Sequence, residues 1–165
     1  MPELPDVTVY VEAIHQRVHG QPLSAYAILS PFVLRTVEPS LDDLVGRVVA
    51  SVERLGKRIV IGFDGELFMV IHLMIAGRFR WFDAGARKKI PARIALAELE
   101  FPSGSLVLTE AGSKRRASLH VVRGRPALKQ FDRGGLEVLE ATLQQFAERL
   151  ARENHTLKRS LTDPR

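Results

Sequence analysis

A chain that begins Met1-Pro2-Glu3-Leu4-Pro5-Asp6 carries potential chemistry at its terminus. Removal of the initiator methionine, which processing favours before a small residue, would leave Pro2 with a free secondary amine beside the Glu3 carboxyl. Such an amine attacks an electrophilic carbon and forms an iminium without an adjacent base. An ordinary α-amino group titrates near about 7.7–8.0, so a neutral, attacking fraction exists around neutrality. A carboxyl within hydrogen-bond reach can give a proton and later take one back. The plainer reading is that Pro2 stiffens a frayed chain end.

The elements that follow must position these groups. After Pro5, favourable in a first helical turn, apolar residues fall at Val7, Tyr10, Val11, Ile14 and Val18, the spacing of one buried helical face. Gly20 and Pro22 stop that helix. Pro2 and Glu3 therefore precede a helix N-terminus, whose partial positive charge favours a carboxylate and disfavours protonation of a nearby amine.

From Leu23 to about Val122 the pattern changes to short β-rich segments: 23–29, 48–52, 58–63, 67–73, 77–82, 93–101, 106–108 and 118–122. Asp64-Gly65 and Pro102-Ser103-Gly104 read as hairpin turns. Short strands at this spacing predict a sandwich or barrel. A minor helix is expected at 40–45, with Ser40 as its N-cap. Beyond Gly134-Gly135, Leu136, Leu139, Leu143, Phe146 and Leu150 predict a helix, and a second is expected from Asn154 through Lys158 and Leu161.

With 165 residues, 45% of them hydrophobic, and a mean hydropathy of -0.01, the chain has the material for a sizeable core. It contains no cysteine, which excludes a disulfide framework or a thiolate metal site, and its five histidines lack metal-ligand spacing. No apolar run reaches membrane-span length and no signal-peptide pattern opens the chain, so a soluble intracellular protein without membrane association is expected.

The formal charge of +5 is unevenly spread: residues 78–133 hold 13 basic and 5 acidic groups, whereas residues 1–77 hold 6 and 9. Clusters such as Arg87-Lys88-Lys89, Lys114-Arg115-Arg116 and Arg123 with Arg125 suit a polyanion, where each cation placed on phosphate releases counterions. Charge runs are also commonly no more than solvated faces.

The PELP-acidic terminus followed by a helix, then Lys57, then His72-Leu73-Met74-Ile75-Ala76-Gly77, then Lys114-Arg115-Arg116, resembles the N-terminal domain of the formamidopyrimidine-DNA glycosylase and endonuclease VIII family. The resemblance covers essentially the whole chain, and the terminus is its most specific element. It implies an α+β, mainly β fold, with an N-terminal helix packed on a two-layer β-sandwich and C-terminal helices. Residues 1–133 would form the catalytic domain, and residues 134–165 a helical segment leading toward a helix-two-turn-helix domain in a longer parent. A zinc finger would belong to that absent part, and no cofactor is expected in this chain.

By this resemblance the partner is damaged DNA, duplex or single-stranded, bound by a monomer, in the cytoplasm or nucleoid if the source is bacterial. The activity implied is base-excision repair: a glycosylase that is also an abasic-site lyase, excising oxidised bases through an iminium at Pro2. An isolated segment is expected to be weakly active or inactive. Glu3 would supply protons to the sugar, and Lys57, also catalytic, would contact the phosphate at the lesion and assist proton transfer. His72 would donate to phosphate, although a histidine within the apolar run 68–75 reads on its own as a satisfied core residue. Ile75 would fill the gap left by an everted nucleotide, with Met74 as the alternative. Arg115 would face the orphaned base, with Arg116 beside it on DNA, and Lys158 would lie near the substrate base or backbone.

Two positions depart from the family pattern. Ala117 stands where many members carry a wedging phenylalanine, which puts a preference for oxidised purines such as 8-oxoguanine in doubt; Asp6 replaces the commoner glutamate. Two other classes stay open: a catalytically silent DNA-binding module of the same fold, and a tautomerase-like enzyme using an N-terminal proline base. The long helix directly after Pro5 opposes the latter, since those enzymes begin with a strand.

Overall fold

The computed structural model describes residues 2–112, 114–132, 135–137, 139–152 and 154–162. Helix α1 (Leu4–Val18) forms where the apolar spacing predicts it, and it starts sharply because Asp6 closes its first turn: Asp6 Oδ2 accepts the Glu3 N–H at 2.9 Å. The short side chain at position 6 thus fixes the backbone of the residue ahead of the helix. Val7, Ile14 and Val18 are buried, and Tyr10 and Val11 pack beside them.

The strands are β1 (Ala25–Ile28), β2 (Val49–Leu55), β3 (Arg58–Phe63), β4 (Leu67–His72), β5 (Gly77–Asp83), β6 (Ala95–Phe101), β7 (Gly104–Glu110) and β8 (Ser118–Arg123). They form two antiparallel four-stranded sheets, ordered β1-β6-β7-β5 and β2-β3-β4-β8. One hydrophobic core lies between the layers, joining Ile61, Met69 and Leu119 of the second sheet to Leu99, Leu106 and Leu108 of the first and to the buried face of α1. This is a helix-plus-sandwich architecture, mainly β, as the resemblance implies, and of the sandwich or barrel that the patterning left open it is the sandwich. In β3 and β4 the residues on the other face, Val60, Phe68 and Val70, are buried too, so these strands read as continuous apolar runs rather than alternations.

Two expected helices differ from those observed. Residues 40–45 do not form an α-helix; Asp42–Leu44 make a single 3₁₀ turn preceded by Leu41 rather than Ser40, which places Leu41 and Leu44 together in the core. Six residues are too few to sustain α-helical hydrogen bonding without a larger apolar face. The helix expected from Leu136 instead begins after Thr142, whose Oγ1 accepts from the Gln145 N–H at 3.2 Å while Gln145 Oε1 accepts from the Thr142 N–H at 2.9 Å. That reciprocal cap outweighs the apolar spacing upstream and limits α2 to Leu143–Ala151; α3 spans Leu157–Thr162.

Contacts divide the chain into two compact units, residues 1–128 and 129–165. The first holds α1 and both sheets, the second α2 and α3. The boundary expected between Arg133 and Gly134 falls on residues outside those described, as do Met1 and Asp163-Pro164-Arg165.

Candidate functional site

Glu3 and Lys57 meet where the start of α1 packs on the β2–β3 hairpin. The hairpin closes through Gly56 and Lys57, with Leu55 paired to Arg58, and Gly56 adopts φ 58°, a conformation glycine enters without steric cost. Lys57 is thereby lifted out of the sheet, and its Nζ lies 2.7 Å from Glu3 Oε2, both side chains about half exposed at 45% and 54%. Pro2, directly before Glu3, is buried. A carboxylate, an ammonium group and Pro2 thus share one corner of the first unit.

Strand register brings the next candidates to the same edge. Arg58 pairs with His72, and His72 with Ser118, so Lys57, Leu73 and Ala117 each lie one residue beyond the paired ends of three adjacent strands. Neighbouring strands stand about 4.8 Å apart, which confines these residues to a narrow rim. His72 is not a core residue: Ile71 and Leu73 are each 1% exposed and join the core, while His72 projects from the opposite face and is half-buried. The Met74 N–H donates to His72 Nδ1 at 3.0 Å, so in the neutral ring the proton resides on Nε2, which becomes its donor.

The turn after His72 presents the apolar candidate. Met74 takes φ 55° and is half-buried, whereas Ile75 is 57% exposed, so Ile75 rather than Met74 forms the tip. The turn closes by the Gly77 N–H donating to the Leu73 carbonyl at 2.9 Å. A Cβ at position 77 would stand 2.3 Å from that oxygen, so only glycine fits.

The basic loop is held from below. Glu110, last in β7 and 2% exposed, accepts at Oε2 from the Arg116 N–H at 2.9 Å and the Ala117 N–H at 3.0 Å. Ala117 turns into the core at 3% exposure, which agrees with its inability to wedge a base stack, while Lys114, Arg115 and Arg116 are exposed. The Arg115 guanidinium donates to the Arg93 carbonyl, a tie between residues 22 positions apart that no local pattern signals. Glu110 likewise escapes sequence reasoning; its only signal is a lone acid shortly after the apolar run Leu106–Leu108 and ahead of the basic cluster.

Other cations of the middle stretch are engaged within the fold. Lys88 pairs with Glu98 and lies 3.3 Å from Glu100, and the Glu98 hydrogen bond foremost raises its ammonium above the usual lysine range. Arg125 pairs with Glu53 at 2.8 Å. Lys158 is exposed on α3 and belongs to the second unit, so it is not among the groups the first unit gathers. Among the described residues no group of three or more His, Cys, Asp or Glu could hold a metal ion, and no helix is long and apolar enough to cross a membrane.

A helix packed on a two-layer β-sandwich is a fold that recurs among known proteins. The family described as formamidopyrimidine-DNA glycosylase N-terminal domain matches residues 1–117, and the chain belongs to it. Similar curated proteins include the formamidopyrimidine-DNA glycosylases of Mycoplasma genitalium, 26% identical over 86% of this chain and 49% of the relative, and of Exiguobacterium sibiricum, 26% identical over 99% and 60%. The chain thus spans about half the length of the curated relatives it matches. Among solved structures, a complex of Lactococcus lactis Fpg with abasic-site DNA superposes with a TM-score of 0.70 at 19% identity, covering 79% of this chain and 47% of that one. A MutM complex with DNA containing carbocyclic 8-oxo-G gives 0.69 at 20%, covering 79% and 48%. These likenesses establish the fold.

Proposed function

We propose that this chain is the catalytic half of a base-excision repair DNA glycosylase with abasic-site lyase activity. The observation that carries the proposal is the 2.7 Å contact between Lys57 and Glu3 beside Pro2, on the rim that also holds His72, Ile75 and the Arg115-Arg116 loop. An acid beside an amine at a basic rim is what attack on a sugar carbon within a polyanion requires. The DNA held by the solved neighbours, abasic or 8-oxo-G-containing, supports the same substrate class.

In the reaction, a damaged nucleotide is turned out of the stack, because its glycosidic carbon is inaccessible inside the duplex. With Met1 removed, the Pro2 nitrogen bonds to C1′ as the C1′–base bond breaks; the base leaves with the electron pair and takes a proton from water, and the Glu3 carboxylate takes the proton that the amine sheds. Glu3 protonates the ring oxygen, the ring opens, and the nitrogen lone pair forms the iminium. The iminium acidifies C2′–H. Loss of that proton expels the 3′ phosphate oxygen with its bonding pair, and water hydrolyses the iminium to release the amine. Lys57 and the Nε2–H of His72 hold the flanking phosphates, and Ile75 occupies the space of the everted nucleotide.

The test is borohydride trapping of the intact protein on DNA bearing an abasic site, beside intact-mass determination of its first residue. A covalent adduct that disappears when Met1 is retained is expected. Salt-sensitive DNA binding without any adduct from protein that begins at Pro2 would overturn catalysis and favour a silent DNA-binding module. The corresponding assay on residues 1–165 alone is expected to give weak or no turnover.

A further inference from the structure

We propose that Glu110 is a positioning residue that sets the pose of the Arg115-Arg116 loop toward DNA and couples it to the turn bearing Ile75. This inference rests on the DNA glycosylase reading for what the loop contacts, while the coupling itself is a property of the fold.

Glu110 occupies a junction. All seven residues of β7 are buried, and it is the only charged group among them. It pairs across the sheet with Gly77, the residue that closes the Met74–Ile75 turn. Its own N–H donates to the Ile94 carbonyl at 2.8 Å, next to Arg93, whose carbonyl accepts from Arg115. Its side chain then reaches forward to the amides of Arg116 and Ala117. Main chain and side chain of one residue thus connect three segments: 73–77, 93–94 and 115–117.

A carboxylate withdrawn from water is unfavourable unless hydrogen-bonded, and a charged acceptor makes its bonds to N–H groups short and strong. Capturing two consecutive amides on one oxygen fixes the peptide planes on both sides of Arg116. Ala117 is then directed inward, while Arg115 and Arg116 stay on the exposed side, Arg115 with its guanidinium on the Arg93 carbonyl. An apolar residue at 110 would fill the site but leave both amides without an acceptor, so the loop would abandon this pose although the sandwich could persist. With alanine at 117 the loop offers DNA no ring to insert, so its contribution falls on Arg115 and Arg116, whose backbone Glu110 fixes at the 116 and 117 amides while the Arg93 carbonyl holds the Arg115 guanidinium.

The experiment compares wild type, Glu110→Ala and Glu110→Gln in the intact protein, by amide hydrogen exchange and by single-turnover cleavage of abasic-site DNA with each of the four bases opposite. Glutamine retains an acceptor oxygen for the two amides; alanine does not. Glu110→Ala is expected to speed exchange at Arg116 and Ala117 on the order of a hundredfold while β6 and β7 keep their protection. It is also expected to raise half-saturating DNA by about tenfold or more, with a much smaller change in the saturating rate and a flattened preference among opposite bases. Glu110→Gln should recover most of each effect. Exchange lost throughout β5, β6 and β7 in both variants would make Glu110 a folding residue and overturn the proposal, as would wild-type protection of the two amides in Glu110→Ala. If wild type cleaves nothing, the glycosylase reading fails, while the exchange measurement still decides whether Glu110 holds the loop.

Discussion

Lys57 Nζ lies 2.7 Å from Glu3 Oε2 across the junction of helix α1 and the β2–β3 hairpin. Both side chains are about half exposed, and an ion pair in such a setting contributes at most about 1 kcal/mol to folding. The pair is therefore better understood through chemistry than through stability. Lys57→Ala is expected to move the thermal midpoint by no more than a few degrees. The same substitution should lower the rate of borohydride trapping on abasic-site DNA by roughly a hundredfold or more. Unchanged trapping in a folded Lys57→Ala protein would remove Lys57 from the reaction.

Gly77→Ala tests the turn behind the apolar tip. The added methyl would meet the Leu73 carbonyl oxygen at 2.3 Å, and that oxygen belongs to backbone that cannot yield without opening the Leu73–Gly77 hydrogen bond. Destabilisation of about 1–3 kcal/mol in urea unfolding is expected. Stability equal to wild type would mean that the turn has another conformation of similar energy.

Ile75 gives the opposite separation. At 57% exposure its truncation removes little packing, so Ile75→Ala should alter stability by no more than about 0.5 kcal/mol. If it fills the space of an everted nucleotide, duplex DNA containing an abasic site should bind several-fold more weakly, whereas single-stranded abasic DNA, which has no stack to fill, should be affected less. Equal losses on the two substrates would contradict that role.

Much of the architecture is written in local pattern. Helix α1 shows in the spacing of Val7, Ile14 and Val18, and each of the eight strands among the described residues overlaps an expected β-rich segment, although β2 and β7 run further than the segments 48–52 and 106–108. The chemical corner was legible because Pro2 and Glu3 sit before a helix, Asp6 in its first turn and Gly56-Lys57 before a strand, positions that local rules describe. What the sequence concealed depends on partners distant along the chain. Glu110 acquires its meaning from amides six and seven residues later and from Gly77 across the sheet; Arg115 is directed by a carbonyl in the 84–94 loop. Leu136 and Leu139 mimic a helical stripe, yet the Thr142–Gln145 cap decides where α2 begins. The expected helix at 40–45 failed for a related reason, since burial of Leu41 and Leu44 three residues apart is satisfied by one tight turn.

His120 makes the pH dependence of stability testable. It lies on β8 opposite Val70, on the sheet face that also carries His72 of β4 and Arg58 of β3, and Arg35 runs alongside through its N–H bond to the Leu119 carbonyl. Burial foremost, then the positive charges of Arg58 and Arg35, hold its imidazole below the usual histidine range, against a hydrogen bond with the Val70 backbone that acts in the other direction. In the unfolded chain the ring titrates near about 6.5. Below that pH the unfolded chain takes up a proton that the folded one resists, so the histidine's contribution is complete above the unfolded value and is lost as pH falls toward the folded one. Wild type should therefore lose more stability in urea than His120→Asn when pH is lowered from about 7.5 to about 5.5. Parallel losses in the two proteins would show that His120 titrates as freely in the fold as outside it.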